Sequence, residues 1–464
     1  MNSIKKFFKF EERKTNFKSE IIGGLVTFLA MSYILAVNPS MISASGIPLG
    51  GAFLATAIGA AIATLVMAFV ANYPVALAPG MGVNAFFTFT IVMTIGYTWQ
   101  EALAISFIGG VIFVAITFTP LRQKLIEAIP AGLRAAIGAG IGFFIAFVGL
   151  NNAKIIVADP ATLVKVGNLT DPSVLVALFG IILIIVLHNL KNKLSRFSFI
   201  ISIAATALLY VILSLAGVKG LQEVNIDPNG YAGLAGFKES FFGFVKGFGT
   251  LFQDTQGGLS SSAKLTTLPV ILFALVFVDI FDTAGTLVGV TKVAGIQNED
   301  GSIPNLEKAL FADAIGTLIS SSLGTPEITS FVESSTGVES GARTGFSNIV
   351  VAILFLLSIL LYPLMPIFNI FPITSMALVL VGVLMAGQIA EIDWSDKAVA
   401  LASFLTIIGM VLSYSVADGI AFGFISYAVA MLAQKRGKEV HPLIYIFSVA
   451  FVVYFILYSK GFQL

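Results

Sequence analysis

Phe277-Val278-Asp279-Ile280-Phe281-Asp282-Thr283-Ala284-Gly285-Thr286 places two carboxylates, two threonines and a glycine in a run otherwise as apolar as a membrane span. Residues 268–276 before it and 287–290 after it carry no charge. A carboxylate near the centre of a bilayer costs several kcal/mol, so acids at that depth mark binding or proton-handling sites. Asp279 and Asp282 are three residues apart and share one face of a helix. The plainer role, hydrogen bonding to neighbouring helices, is the weaker expectation, because intramembrane acids are rarely idle.

The rest of the chain agrees with that reading. Of 464 residues, 57% are hydrophobic and 11% are charged, against about 25% charged in an average soluble domain. Apolar runs of spanning length recur from residue 21 to residue 458, which describes an all-α polytopic membrane protein. The net charge of +1 suggests no nucleic-acid partner. Cysteine is absent, which excludes disulfides, thiol catalysis and cysteine-ligated metal. With only His188 and His441, a histidine metal site is not expected, and neither is a cofactor. No HExxH, GxSxG or GxGD motif accompanies the paired acids, so no enzyme and no catalytic residue is expected.

Residues 1–20 are amphipathic and basic and read as a cytoplasmic surface segment, with no cleavable signal. The first two spans fall at about 21–42 and 50–72. Then comes Tyr73-Pro74-Val75-Ala76-Leu77-Ala78-Pro79-Gly80-Met81-Gly82-Val83-Asn84-Ala85-Phe86-Phe87. The residue before a proline avoids the α region, so Pro74 and Pro79 bracket an extended piece and a helix starts only near Gly80. Non-helical backbone at membrane depth survives only when buried in protein or lining a cavity. Further spans read at about 100–119, 130–150, 173–188 and 197–215, with an interfacial helix at 121–129 and a basic cytoplasmic loop at 191–196. Residues 217–265 read as an outer loop, followed by spans at about 266–290 and 307–321. The stretch 320–338 (SSSLGTPEITSFVESSTGV) is again broken, by Gly324 and Pro326. Thr329 or Ser330 would cap its half-helix, with Glu333 in the first turn.

Residues 21–215 and 266 onward can each be written as seven spans with a broken third member and an amphipathic link after the fourth, at 363–371 in the second half. Seven is odd, so the halves would be inverted relative to each other. Interrupted segments at corresponding positions point to a transporter's binding site near the midplane. About fifteen apolar stretches are present, one more than two sevens, so 398–434 is either one broken unit or leaves an extra terminal helix. Residues proposed for the site are Asn84, Gly82, Asp279, Asp282, Thr283, Thr286, Thr329, Ser330 and Glu333, with Thr27, Ser32 and Tyr33 nearby. No Arg or Lys lies in either broken stretch. The set suits a small cation or a neutral, flat heterocycle better than an anion. Burial disfavours a charged carboxylate, so these acids could load a proton with substrate; sodium is the rival coupling ion.

The runs at 27–39 (TFLAMSYILAVNP), 80–87 (GMGVNAFF) and 277–283 (FVDIFDT), Glu333 within SFVESSTGV, and GARTG at 341–345 together resemble the AzgA-like purine permeases of the nucleobase–cation symporter group, which share the uracil-permease fold. The resemblance extends from residue 10 to about 427. It implies fourteen spans in two inverted repeats of seven, with two short strands in the broken third and tenth spans. It implies a core domain (21–120 and 266–362), a gate domain (121–217 and 363–464) that forms a homodimer, and an outer loop at 218–265. It implies uptake of guanine, hypoxanthine or adenine across the plasma membrane by proton symport, with an elevator-type movement. By motif, Asn84, Asp279, Asp282 and Glu333 look like the family's binding and coupling residues. Asp282 or Glu333 is expected to contact the purine, and Asp279 to serve coupling or structure. Thr325-Pro326-Glu327 departs from the family pattern and leaves the role of Glu327 open.

Overall fold

The computed structural model describes residues 2–119, 129–191, 193–222, 230–254, 259–297, 303–368 and 370–461. The interfacial helix expected at 121–129 lies almost wholly outside the described residues. Among the described residues, ten helices are long and apolar enough to cross a membrane, with three shorter apolar helices beside them.

The first span, expected at about 21–42, runs from Phe17 to Ser43 as two helices, α1 (Phe17–Met31) and α2 (Ile34–Ser43). At the break the Ser32 hydroxyl donates to the Leu29 carbonyl at 3.0 Å, an alternative to the helical ladder. Pro39 then removes a backbone donor inside α2. The second span, α3 (Leu49–Val70), is unbroken. After it come β1 (Leu77–Pro79), the short helix α4 (Met81–Ala85) and a π-helical continuation over Phe86–Ile95. A capping box from Thr98 and Glu101 opens α5 (Trp99–Thr117). The middle of the chain supplies α6 (Ala131–Asn152), an exposed hairpin of β2 (Ile156–Asp159) and β3 (Leu163–Val166), α7 (Pro172–Asn189) and α8 (Ser198–Leu215).

The second half begins with α9 (Gly243–Thr250) and the 33-residue α10 (Ser261–Val293). At about 1.5 Å per residue α10 is near 50 Å long, well beyond the roughly 30 Å of a hydrocarbon core. Next are α11 (Leu306–Leu323), β4 (Ile328–Ser330) and α12 (Ser334–Glu339). The link expected at 363–371 is helical: α13 (Phe346–Leu357) passes through a 3-10 stretch at Ser358–Leu364 into Met365–Phe368. Then comes α14 (Phe371–Ala386). The 398–434 segment resolves into two helices packed on each other, α15 (Lys397–Leu412) and α16 (Val416–Ala433), and α17 (Pro442–Gly461) stands apart from that pair in sequence.

Packing follows small residues. In lipid, helices gain little from apolar burial against each other, so close backbone approach matters more. Helix α6 crosses α14 so closely that a Cβ on Gly142 would lie 2.6 Å from the Gly382 carbonyl, and one on Gly382 2.5 Å from the Gly142 carbonyl. Helix α11 packs on α3 and α5, and α13 on α1 and α3.

At one end of the molecule Lys264 of α10 is 1% exposed and Glu101 of α5 is fully buried, with Nζ and Oε1 2.7 Å apart. The same ammonium donates to the carbonyls of Thr250 (3.2 Å) and Gln253 (2.8 Å), and so ties α9 to the bundle. Removing one partner of such a pair leaves an uncompensated buried charge, at about 3–5 kcal/mol, whereas replacing both is far milder. Lys264→Met and Glu101→Gln should therefore each lower the melting temperature of the purified protein, and the double variant should recover most of the loss. Additive losses would show that the two groups do not act as a pair.

Candidate functional site

The two broken stretches meet. β1 and β4 pair antiparallel, with Leu77 opposite Ser330, Ala78 opposite Thr329 and Pro79 opposite Ile328. The ladder continues as Phe331 N donates to the Ala76 carbonyl at 3.0 Å, and Ala76 N donates to Ser334 Oγ at 3.0 Å. The Thr64 hydroxyl accepts from Leu77 N and donates to Leu77 O, both at 2.9 Å. The Asn348 amide donates to the carbonyls of Tyr73 (3.0 Å) and Val75 (2.8 Å). Extended backbone deep in the bundle is thus satisfied by protein, the condition for its being there at all. The half-helix of the second break starts later than expected. Thr329 and Ser330 are committed to β4, so Glu333, not either of them, occupies the N-cap position of α12, with no side-chain capping bond.

A cavity of about 350 Å³ opens beside the strand pair, within the size range of small-molecule sites. One wall carries Tyr33, Gly80, Gly82, Thr286, Thr329, Ser330 and Glu333; the other carries Arg134, Gly138 and Ile141 of α6 with Val381, Met385, Gln388 and Glu391 from α14 and the turn after it. Glu333 Oε1 accepts from the Tyr33 hydroxyl at 2.8 Å. The Tyr33 ring stacks on Phe199 of α8, centroids 4.3 Å apart and 16° from parallel. The acid of one wall is therefore positioned by a tyrosine that leans on the opposite group of helices.

Behind Thr329 and Ser330 lies a polar layer. Ser330 Oγ donates to Asp313 Oδ1 at 3.0 Å, and Thr317 Oγ1 donates to Asp279 Oδ2 at 3.2 Å. Thr283 Oγ1 sits 2.5 Å from Asp313 Oδ2, 3.4 Å from Asp279 Oδ1 and 3.0 Å from Thr329 Oγ1. Asp279 is 3% exposed and Asp313 not at all. A hydroxyl has one proton and can both donate and accept, so Thr283 links two buried carboxylates to a strand whose other side faces the cavity.

The sequence pattern of the Permease family matches residues 18–425. This chain belongs to that family. The permease is 41% identical over 462 residues to the guanine/hypoxanthine permease PbuG of Bacillus subtilis, covering 98% of this chain and 99% of that one. It is 40% identical to a putative permease of Methanocaldococcus jannaschii, covering 99% of each chain, and 36% identical to the adenine permease AdeP of Escherichia coli, covering 97% and 95%. Its relatives are transporters, and it is a multi-pass membrane permease and not an enzyme. Among solved structures, the fold is similar to the transmembrane domain of a cyanobacterial bicarbonate transporter, BicA, with a TM-score of 0.62 at 15% identity over 87% of this chain and 97% of that one. It is also similar to the murine Solute Carrier 26 family member A9 anion transporter, with a TM-score of 0.56 at 12% identity over 90% and 69%.

In the permease, Gly82, Thr286, Thr329, Ser330 and Glu333 line the cavity, and Thr283 and Asp279 lie in the layer behind. Asn84 is elsewhere. It is fully buried, and its Nδ2 donates to Asn38 Oδ1 at 2.8 Å, while Asn38 Nδ2 donates to Thr56 (2.9 Å) and Thr325 (3.1 Å). That chain ties α2, α3 and α4 to the second break. The Asp282 side chain lies outside the described residues. Thr27 and Ser32 do not line the cavity, whereas Tyr33 does. Glu327 borders a separate void of about 10 Å³ with Asp279, Thr317 and Ser106. Asp313 is absent from the site expected from sequence, although a third acid in an apolar helix was the signal. Arg134, Gln388 and Glu391 gave no signal, because polar residues near span ends read as interfacial.

Proposed function

We propose that this permease imports purine nucleobases (guanine, hypoxanthine or adenine) by proton symport. The observation that carries the reading is the cavity beside the β1–β4 pair, with the Glu333 carboxylate on its wall and a layer of buried acids behind. A purine offers ring N–H groups to a carboxylate and ring nitrogens or an exocyclic oxygen to hydroxyl donors, and Phe331 and Tyr33 offer ring faces beside Glu333. The names of the relatives at 36–41% identity, guanine/hypoxanthine and adenine permeases, support the substrate class.

In this reading the chain forms fourteen spans in two inverted repeats, which the paired broken stretches support. Spans one to four and eight to eleven move as a core domain against a gate domain built from the rest, which also holds two subunits together. The position of the cavity, between α6 and α14 on one side and the strand crossing on the other, supports an elevator-type movement along that boundary. With a cytoplasmic N-terminus in the plasma membrane, the positions of Arg134 at the start of α6 and of Gln388 after α14 support a cavity mouth on the inside.

The test is uptake of radiolabelled guanine, hypoxanthine, adenine and uracil into cells lacking their own nucleobase carriers. At least one purine should accumulate; if none does, the substrate reading fails. Accumulation should alkalinise an unbuffered medium and collapse with the proton gradient. Accumulation that survives a protonophore and follows external sodium would replace the proton with sodium.

A further inference from the structure

Gln388 lies in the 3-10 turn Gly387–Glu391 that follows α14 and lines the cavity wall opposite Glu333. It packs over Gly138 of α6 so closely that a Cβ on Gly138 would overlap its carboxamide. None of the hydrogen bonds among the described residues uses that carboxamide. It therefore presents an uncommitted donor and an uncommitted acceptor, side by side, to the cavity.

Resting on the purine reading above, we propose that Gln388 is a specificity-determining residue that reads the substituted six-membered-ring edge of the base, and that Gly138 positions it. A 6-oxopurine presents an N–H donor beside a carbonyl acceptor. A 6-aminopurine presents an amino donor beside a ring-nitrogen acceptor. A carboxamide matches either pair, because a half-turn about its last bond exchanges donor and acceptor. A carboxylate at the same place only accepts. It matches the adjacent N1–H and 2-amino group of guanine and opposes the ring nitrogen of adenine. An aliphatic chain matches neither.

The expected effects follow from the worth of one bidentate amide–base pair, about tenfold or more in discrimination. Gln388→Leu should raise KM for hypoxanthine and for adenine by about tenfold or more at equal membrane abundance. Gln388→Glu should shift the guanine-to-adenine ratio of uptake efficiency toward guanine by a similar factor. Gly138→Ala should reproduce the Gln388→Leu defect in the wild-type background and add nothing to it in Gln388→Leu. The proposal is overturned if Gln388→Leu keeps KM within about twofold for the transported purines, or if Gln388→Glu leaves the guanine-to-adenine ratio unmoved. A Gly138→Ala defect of equal size with and without Gln388 would overturn the positioning role. A wild-type carrier that accumulates no purine would instead sink the substrate reading on which this rests, so the two failures are distinguishable.

Discussion

Glu333→Gln is expected to weaken purine binding by about 10- to 100-fold while leaving the carrier folded and in the membrane. A hydrogen bond to a charged group contributes about 1.5–3 kcal/mol, and each 1.4 kcal/mol is about tenfold in affinity. Glutamine keeps the shape of the side chain and an acceptor for the Tyr33 hydroxyl, but it offers a substrate N–H only a neutral oxygen. The fold should tolerate the change. Glu333 stands at the N-cap position of α12 without a side-chain capping bond, so no helix end is uncapped. Tyr33→Phe should be milder, about two- to tenfold, because it removes one neutral donor worth about 0.5–1.5 kcal/mol. That variant leaves the ring stacked on Phe199. Equilibrium binding of radiolabelled hypoxanthine to purified carrier measures both. A Glu333→Gln protein with wild-type affinity would remove Glu333 from the binding site.

What the sequence disclosed, and what it hid, follows from how far each physical rule reaches. The proline rule is local and covalent. Pro74 and Pro79 in one stretch, and Gly324 and Pro326 in the other, predict extended backbone, and strands lie at Leu77–Pro79 and Ile328–Ser330. The cost of burying a carboxylate is nearly as local, which is why Asp279 and Glu333 were legible as unusual. Orientation was not legible. The half-helix carrying Asn84 is five residues long and then changes to a π-helical period, so spacing from Gly80 does not say which side chain faces the cavity. Asn84 turns inward to Asn38 instead. The cap of the second half-helix shifted for a related reason: pairing with β1 claims Thr329 and Ser330, and that partner is some 250 residues away in sequence. The second wall was hidden most completely. Arg134 and Gln388 acquire meaning only when α6 and α14 pack beside the strand crossing.

Asp279→Asn and Asp313→Asn are expected to separate binding from accumulation. Neither acid lines the main cavity, and each is reached from it through hydroxyls: Ser330 for Asp313, and Thr283 with Thr329 for both. An asparagine at either place can be accommodated, because Ser and Thr hydroxyls accept as readily as they donate. Purine affinity should therefore stay within a few-fold of wild type. What an asparagine cannot do is gain and lose a proton. In wild type, accumulation should fall as external pH rises, because the loaded form requires a protonated acid. In the variants accumulation against a gradient should be lost and the residual flux should be flat with pH, while exchange of internal for external purine continues. Thr283→Val removes a hydroxyl that touches both carboxylates and should impair accumulation as severely as either substitution. Transport into proteoliposomes with and without an imposed proton gradient, beside exchange in the same vesicles, reads these outcomes. Loss of purine binding in both asparagine variants would place the acids in the binding site itself. Retention of pH-dependent accumulation in both would leave the proton to Glu333.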